Sequence, residues 1–304
     1  MAKNQTITTT ENATTWTGKS RGTVTGFKIF VFFIRKFGIR AAYALMHLPI
    51  PYFCLAVRNN AKALHYFYTK RLGYSWLKSC VSIYKNYYVF GQSLVDKIAI
   101  PIGKGDAYSY EFDGEEHITE MLQKEEGGIL ISAHVGNFEL AQHFFKKRNF
   151  DAAISIVITD QDHEDIKEYL GQFTKRDHVN FIVVKEDMSH IFEISAAIAQ
   201  NRIVCISGDR FLNNTKTLEA ELLGKKAKFP IGPFQIATRM QVPVLFVYVM
   251  REPKKHYHLY ARKVKVERRD AQDLLNKFAA HLELVVKKYP LQWFNFYDFW
   301  GKGL

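Results

Sequence analysis

Acidic side chains are almost missing from the first third of this sequence. Between positions 1 and 100 only Glu11 and Asp96 are acidic, against fourteen Lys and Arg. The formal charge of +12 is therefore N-terminal, since Lys and Arg are balanced by Asp and Glu beyond residue 100. Cysteine is scarce as well. Cys54, Cys80 and Cys205 stand in no metal or redox spacing, which argues against a disulfide framework and for packing roles in a reducing compartment. Long apolar runs are also lacking. Val24–Ile34 is eleven residues long and contains Lys28, and Phe37–Val57 is interrupted by Arg40, His47, Pro49 and Pro51. A spanning helix needs about 20 mostly apolar residues, so neither stretch is a clean span. Residues 1–23 are polar and Thr-rich, without the features of a secretory signal, and are expected to be a disordered tail. No Walker loop, dinucleotide glycine fingerprint or Gly-x-Ser-x-Gly elbow occurs. His256-Tyr-His258 and Glu115-Glu116-His117 do not supply the ligand set of a catalytic zinc site, so no metal and no cofactor is expected.

What the sequence does have is a charged, aromatic beginning and one dense central stretch. The first hundred positions hold 18 of the 44 aromatic residues. Basic residues interleaved with aromatics suit an anionic surface. No RNA-binding fold signature accompanies them, and no nucleic-acid partner is expected. The central stretch opens with Gly127-Gly128, continues through the apolar run Ile129–Ala133 to His134, and turns at Gly136-Asn137. Phe138, Leu140, Ala141, Phe144 and Phe145 then follow at helical spacing. This predicts a buried strand, a tight turn and a helix, with an imidazole at the carboxyl end of the strand, where open α/β sheets bind ligands.

Glu139 lies five positions beyond His134. A carboxylate on one ring nitrogen would fix the tautomer and leave the other nitrogen to accept a proton. No Ser or Cys nucleophile is evident nearby, so the nucleophile would be a hydroxyl or amine of the substrate. Spacing alone favours the plainer reading, an exposed strand-end His and a solvated Glu in a first helical turn, because His-x4-Glu is a weak pattern.

The block His134-Val-Gly-Asn-Phe-Glu139 after a strand resembles the His-x4-Asp/Glu box of the glycerolipid-type acyltransferases, and most of all their late lipid A branch, the lauroyl and myristoyl transferases. Three further blocks are similar to that family and come in its order: Gly208-Asp209-Arg210, Leu222-Leu223-Gly224 with Phe229-Pro-Ile-Gly-Pro233, and Pro290-Leu-Gln-Trp293-Phe294. The likeness covers roughly residues 25–300. The segment after Trp293 departs from it, reading Asn295-Phe-Tyr-Asp-Phe-Trp300 where the late lipid A enzymes usually carry a His/Arg-containing segment.

The resemblance implies His134 and Glu139 as the catalytic pair. Asn137, Asp209 and Arg210 are expected at the substrate-binding rim, Arg210 as a planar fork for phosphate. It implies transfer of a fatty acyl chain from acyl carrier protein or acyl-CoA to a membrane lipid acceptor such as a lipid A-type glycolipid. A non-catalytic lipid-binding protein on the same fold remains open. So does an acyltransferase for another lipid: a lysophospholipid, an aminolipid or an aryl-polyene pigment ester.

Beyond Gly105 strand-like and helix-like stretches alternate. Strands are expected over 129–133, 153–158, 180–184, 203–207, 244–250 and 256–266, with helices near 115–125, 138–148, 163–175, 188–200 and 233–240, and a last one over 270–288. That pattern predicts an α/β fold, a largely parallel sheet flanked by helices. The expected organisation is a tail (1–23), a basic aromatic helical membrane-associating region (24–100) and the catalytic core (101–304). The expected location is the cytoplasmic face of the bacterial inner membrane, peripheral or singly anchored, with the helices lying in the interface of an anionic bilayer.

Overall fold

A computed structural model describes residues 24–141, 143, 145, 153–158, 179–185, 187–211 and 215–301. The expected tail, the helix near 163–175 and the last turn of the helix near 138–148 lie outside them.

The basic aromatic region is helical. Helix α1 runs over Val24–Phe37, α2 over Ile39–Leu45, α3 over Pro49–Ala56 and α4 over Arg58–Tyr66. The interruptions follow from the residues there. Gly38 takes φ 83° between α1 and α2, and Pro49 starts α3 at the position where its missing N–H costs no helical hydrogen bond. No helix among the described residues is long and apolar enough to cross a membrane. Helix α5, Trp76–Ala99, is the longest among the described residues, and Ser75 caps its first turn by accepting from the Lys78 N–H.

The core is a seven-stranded sheet. Its strands are β1 (Ser109–Asp113), β2 (Gly128–Ser132), β3 (Ile154–Ile158), β4 (Val179–Val183), β5 (Ile203–Ser207), β8 (Val244–Glu252) and β9 (His256–Lys263). The remaining two, β6 (Thr217–Leu222) and β7 (Lys225–Pro230), form a separate antiparallel hairpin. The order across the sheet is β1-β9-β8-β2-β5-β3-β4, and every pairing is parallel except β8 with β9. Helices α6 (Glu115–Gln123), α7 (His190–Ala199), α8 (Ile231–Met240) and α9 (Ala271–Lys288) flank it. The fold is thus the expected α/β, mostly parallel sheet with flanking helices.

All five residues of β2 are buried, as are Val244–Met250 of β8, which explains why these strands are near-continuous apolar runs instead of alternating ones. Strand β1 and the β6–β7 hairpin were not among the expected elements. Strand β1 (SYEFD) alternates exposed with half-buried positions at a sheet edge, and the hairpin is rich in Lys and Glu, so neither carries a strong apolar signal.

Candidate active site

The register of two neighbouring strands creates the site. Parallel strands β2 and β5 pair with Ser132 opposite Ser207. Two residues beyond those partners, His134 and Asp209 leave the sheet side by side, and the Gly208 N–H donates to the Ser132 carbonyl at 2.8 Å. The Asp209 carboxylate takes both hydrogens that His134 offers it. Oδ1 lies 2.7 Å from the ring Nδ1, and Oδ2 accepts the His134 backbone N–H at 2.9 Å. A carboxylate can only accept, so the ring proton sits on Nδ1 and the lone pair is on Nε2. The Asp209 side chain is 2% exposed, whereas the imidazole keeps 33% of its surface in solvent. One partner is a buried anchor and the other can meet a substrate.

The electrostatics agree with this division. Burial and the neighbouring Arg210 guanidinium push the His134 pKa below its ordinary value, with a smaller push from Lys97. The Asp209 carboxylate opposes them without winning. Burial would raise the Asp209 carboxyl, but the imidazole, Arg210 and the backbone N–H together hold it below the usual carboxylate range. At neutral pH the couple is therefore a carboxylate and a neutral imidazole, the state a proton acceptor requires.

Glu139 was expected on the ring; the carboxylate found on Nδ1 is that of Asp209. Phe138–Leu140 forms a 3₁₀ turn, and the Glu139 carboxylate, 63% exposed, takes the Lys97 ammonium at 2.7 Å. Distance along the chain could not reveal the Asp209 contact, because it spans 75 positions and depends on strand order. Asn137 is buried, its amide donating to the Ser93 carbonyl at 3.0 Å and to Tyr257 Oη at 3.4 Å. It braces the turn against α5 and β9. Arg210 is half-buried, and one Nη donates to the Phe294 carbonyl. Gly136, with φ 63°, passes so close to the Val249 carbonyl that a Cβ would lie 2.1 Å from that oxygen, so only glycine fits there.

Several neighbours carried no signal of their own. Tyr297 Oη donates to the Asp209 carbonyl at 3.3 Å. Asp96, fully buried, accepts from Tyr43, Tyr108 and Tyr257 and pairs with Arg251 Nε at 3.2 Å. That hub ties α2 and α5 to β8 and β9 beside the Asn137 turn. Asp96 was notable in the sequence only as one of two acids among many bases. Among the described residues no group of three or more His, Cys, Asp or Glu is placed to hold a metal ion.

No curated protein matches the chain. The family model described as bacterial lipid A biosynthesis acyltransferase matches residues 81–302, which include β2, His134, Asp209, Arg210 and the Trp293 segment. With well over half of its length matched, the chain is an acyltransferase acting on lipid precursors and belongs to the bacterial lipid A biosynthesis acyltransferase family.

Proposed function

We propose that His134 is the general base of a fatty acyl transfer from a thioester to a hydroxyl or amine of a membrane lipid precursor of the lipid A type. The observation that carries this reading is the couple itself: a buried carboxylate on Nδ1 of a partly exposed neutral imidazole at the carboxyl end of a central strand. Nε2 takes the proton of the acceptor as its oxygen or nitrogen attacks the thioester carbonyl. The tetrahedral intermediate then expels the thiolate, which takes the proton back from the imidazolium, so the base is regenerated. Asp209 stabilises the imidazolium that forms between the two steps. Glu139 neutralises Lys97 at the edge of the site, and removing it would expose the imidazole to a stronger positive field. Arg210, beside the couple, is the proposed fork for an anionic group of the donor or acceptor. Acyl carrier protein or acyl-CoA serves as the thioester, and no metal or redox cofactor takes part.

The helical region is proposed to lie on the cytoplasmic face of the inner membrane. Phe32 and Phe37 of α1, Tyr52 and Leu55 of α3, and Trp76 and Leu77 of α5 are all more than half exposed. These helices pack on one another, and His47, next to the exposed Leu48, bonds to Tyr84 of α5 at 2.6 Å. Large apolar side chains on a region of strongly positive charge fit an anionic interface.

The test uses purified full-length protein with labelled acyl thioesters of both carriers and a lipid A-type acceptor. Wild type should transfer the label, and His134→Ala should abolish transfer in protein that still unfolds cooperatively, at a somewhat lower melting temperature because the buried Asp209 carboxylate loses its ring donor. Normal turnover by folded His134→Ala would end this mechanism, and lipid binding without transfer by wild type would favour a lipid-binding role.

A further inference from the structure

The segment after α9 contacts both the turn after β2 and the Asp209-Arg210 stretch after β5. The 3₁₀ turn Pro290–Gln292 leads into Trp293, which pairs as an antiparallel bridge with Val135. The Gly136 N–H donates to the Gln292 carbonyl at 2.9 Å, and the Phe294 N–H donates to the His134 carbonyl at 3.0 Å. His134 is thus held at its carbonyl by this segment and at its N–H and ring by Asp209. The hydrogen bonds from the segment to His134 and Gly136 come from main chain, so the question is what fixes that main chain.

Two buried amides do so. Gln292 forms a reciprocal pair with Arg251: the Arg251 N–H donates to Oε1 at 2.8 Å, and Nε2 donates to the Arg251 carbonyl at 2.6 Å. A side-chain amide therefore stands in for the next rung of the ladder at the end of β8. Only an amide of this length both donates and accepts there; Glu cannot donate and Asn is one methylene short. On the other side Asn86, fully buried in α5, donates to the Leu291 carbonyl at 3.1 Å and to the Trp293 carbonyl at 3.2 Å. Arg210 closes the far end through the Phe294 carbonyl.

We infer that Gln292 and Asn86 are positioning residues for the acyl transfer, setting the place of His134 through the Leu291–Phe294 main chain. The inference rests on His134 being the base. Neither amide bonds to the imidazole itself. Their effect should appear on the chemical step and leave binding of donor and acceptor alone.

Gln292→Glu keeps the acceptor for the Arg251 N–H and loses the donor; Asn86→Ala loses both donors and leaves Gln292 intact. The measurements are melting temperature, kcat, KM for thioester and acceptor, and the downfield NMR signal of the His134 Nδ1 proton, assigned by its loss in His134→Ala. The expected result for a folded variant is kcat lower by tenfold or more, both KM values within about twofold of wild type, and a shifted or broadened Nδ1 signal. An unchanged kcat in folded protein overturns the inference. So does a raised KM with the Nδ1 signal intact, which would make the segment a substrate contact. If neither variant folds, the segment is a scaffold and the inference also falls. If His134→Ala turns over normally in the same assay, the reading of His134 as the base has failed instead.

Discussion

Replacing Asp209 by Asn changes no volume, yet the geometry leaves the amide no good orientation. Both carboxylate oxygens accept, one from the ring Nδ1–H at 2.7 Å and the other from the His134 backbone N–H at 2.9 Å. An amide has one acceptor and one donor group. If its oxygen stays on the backbone N–H, its NH₂ faces Nδ1 and forces the ring proton to Nε2, which can then no longer accept a proton. If its oxygen faces Nδ1, two N–H groups collide at the backbone and the imidazolium loses its counter-charge. Either way the expected loss is about 10³–10⁴-fold in kcat, as for the equivalent exchange in a serine-protease triad. In barrier height that is about 4–5.5 kcal/mol. The exposed third of the imidazole, where water can partly stabilise its charge, argues for the lower end. The assay is steady-state release of thiol from the acyl thioester, run beside thermal unfolding, with Glu139→Gln as comparator. Glu139→Gln should cost much less, because its carboxylate is exposed and meets Lys97. Folded Asp209→Asn protein retaining more than a tenth of wild-type kcat would refute this account. An inactive Glu139→Gln with active Asp209→Asn would transfer the role to Glu139.

Since the His134 pKa is held below its ordinary value of 6.5 and the base must be neutral, kcat/KM should fall on acidification only below that value. Arg210→Gln removes a cation that lowers this pKa, so its acid limb should move to higher pH; an unmoved or lowered limb in the pH–rate profile would contradict the assignment. Arg210→Lys keeps the charge and loses the fork, and should raise KM for one anionic substrate by about one to two decades, from a loss of roughly 1.5–3 kcal/mol; unchanged KM for both substrates would sink the proposed fork. Asp96→Asn leaves Arg251 buried without its counter-charge and should destabilise the protein by about 3–5 kcal/mol in urea unfolding, against no change if the hub is dispensable. Changing Leu55, Trp76 and Leu77 together to Ser should remove about 1 kcal/mol or more each of interfacial partitioning, hence at least about two decades of affinity for anionic vesicles; undiminished co-sedimentation would place the membrane contact elsewhere.

The local code was legible where one segment decides its own structure. Ile129–Ala133 and Ile203–Ser207 are short apolar runs bounded by polar or glycine turns, and both became strands within a residue of their expected limits. Residues 271–288 carry an amphipathic pattern behind an Asp270 cap and form α9. The strand-end position of His134 followed from the same reading, since the residue after a buried run must emerge at the sheet's rim. Strand order, in contrast, is a tertiary property. That β5 lies beside β2, with Ser207 opposite Ser132, is set by packing of apolar faces and crossover helices, and nothing within the His134–Glu139 box states it. The nearer acid in the chain was therefore the natural expectation for the imidazole, while the sheet delivers the one 75 residues away. Asp96 and Gln292 belong to the same class. The sequence sets Gln292 in a family-like block and Asp96 among bases without stating a partner for either, and each becomes a hub because folding removes water from around it and leaves protein groups to satisfy its hydrogen bonds.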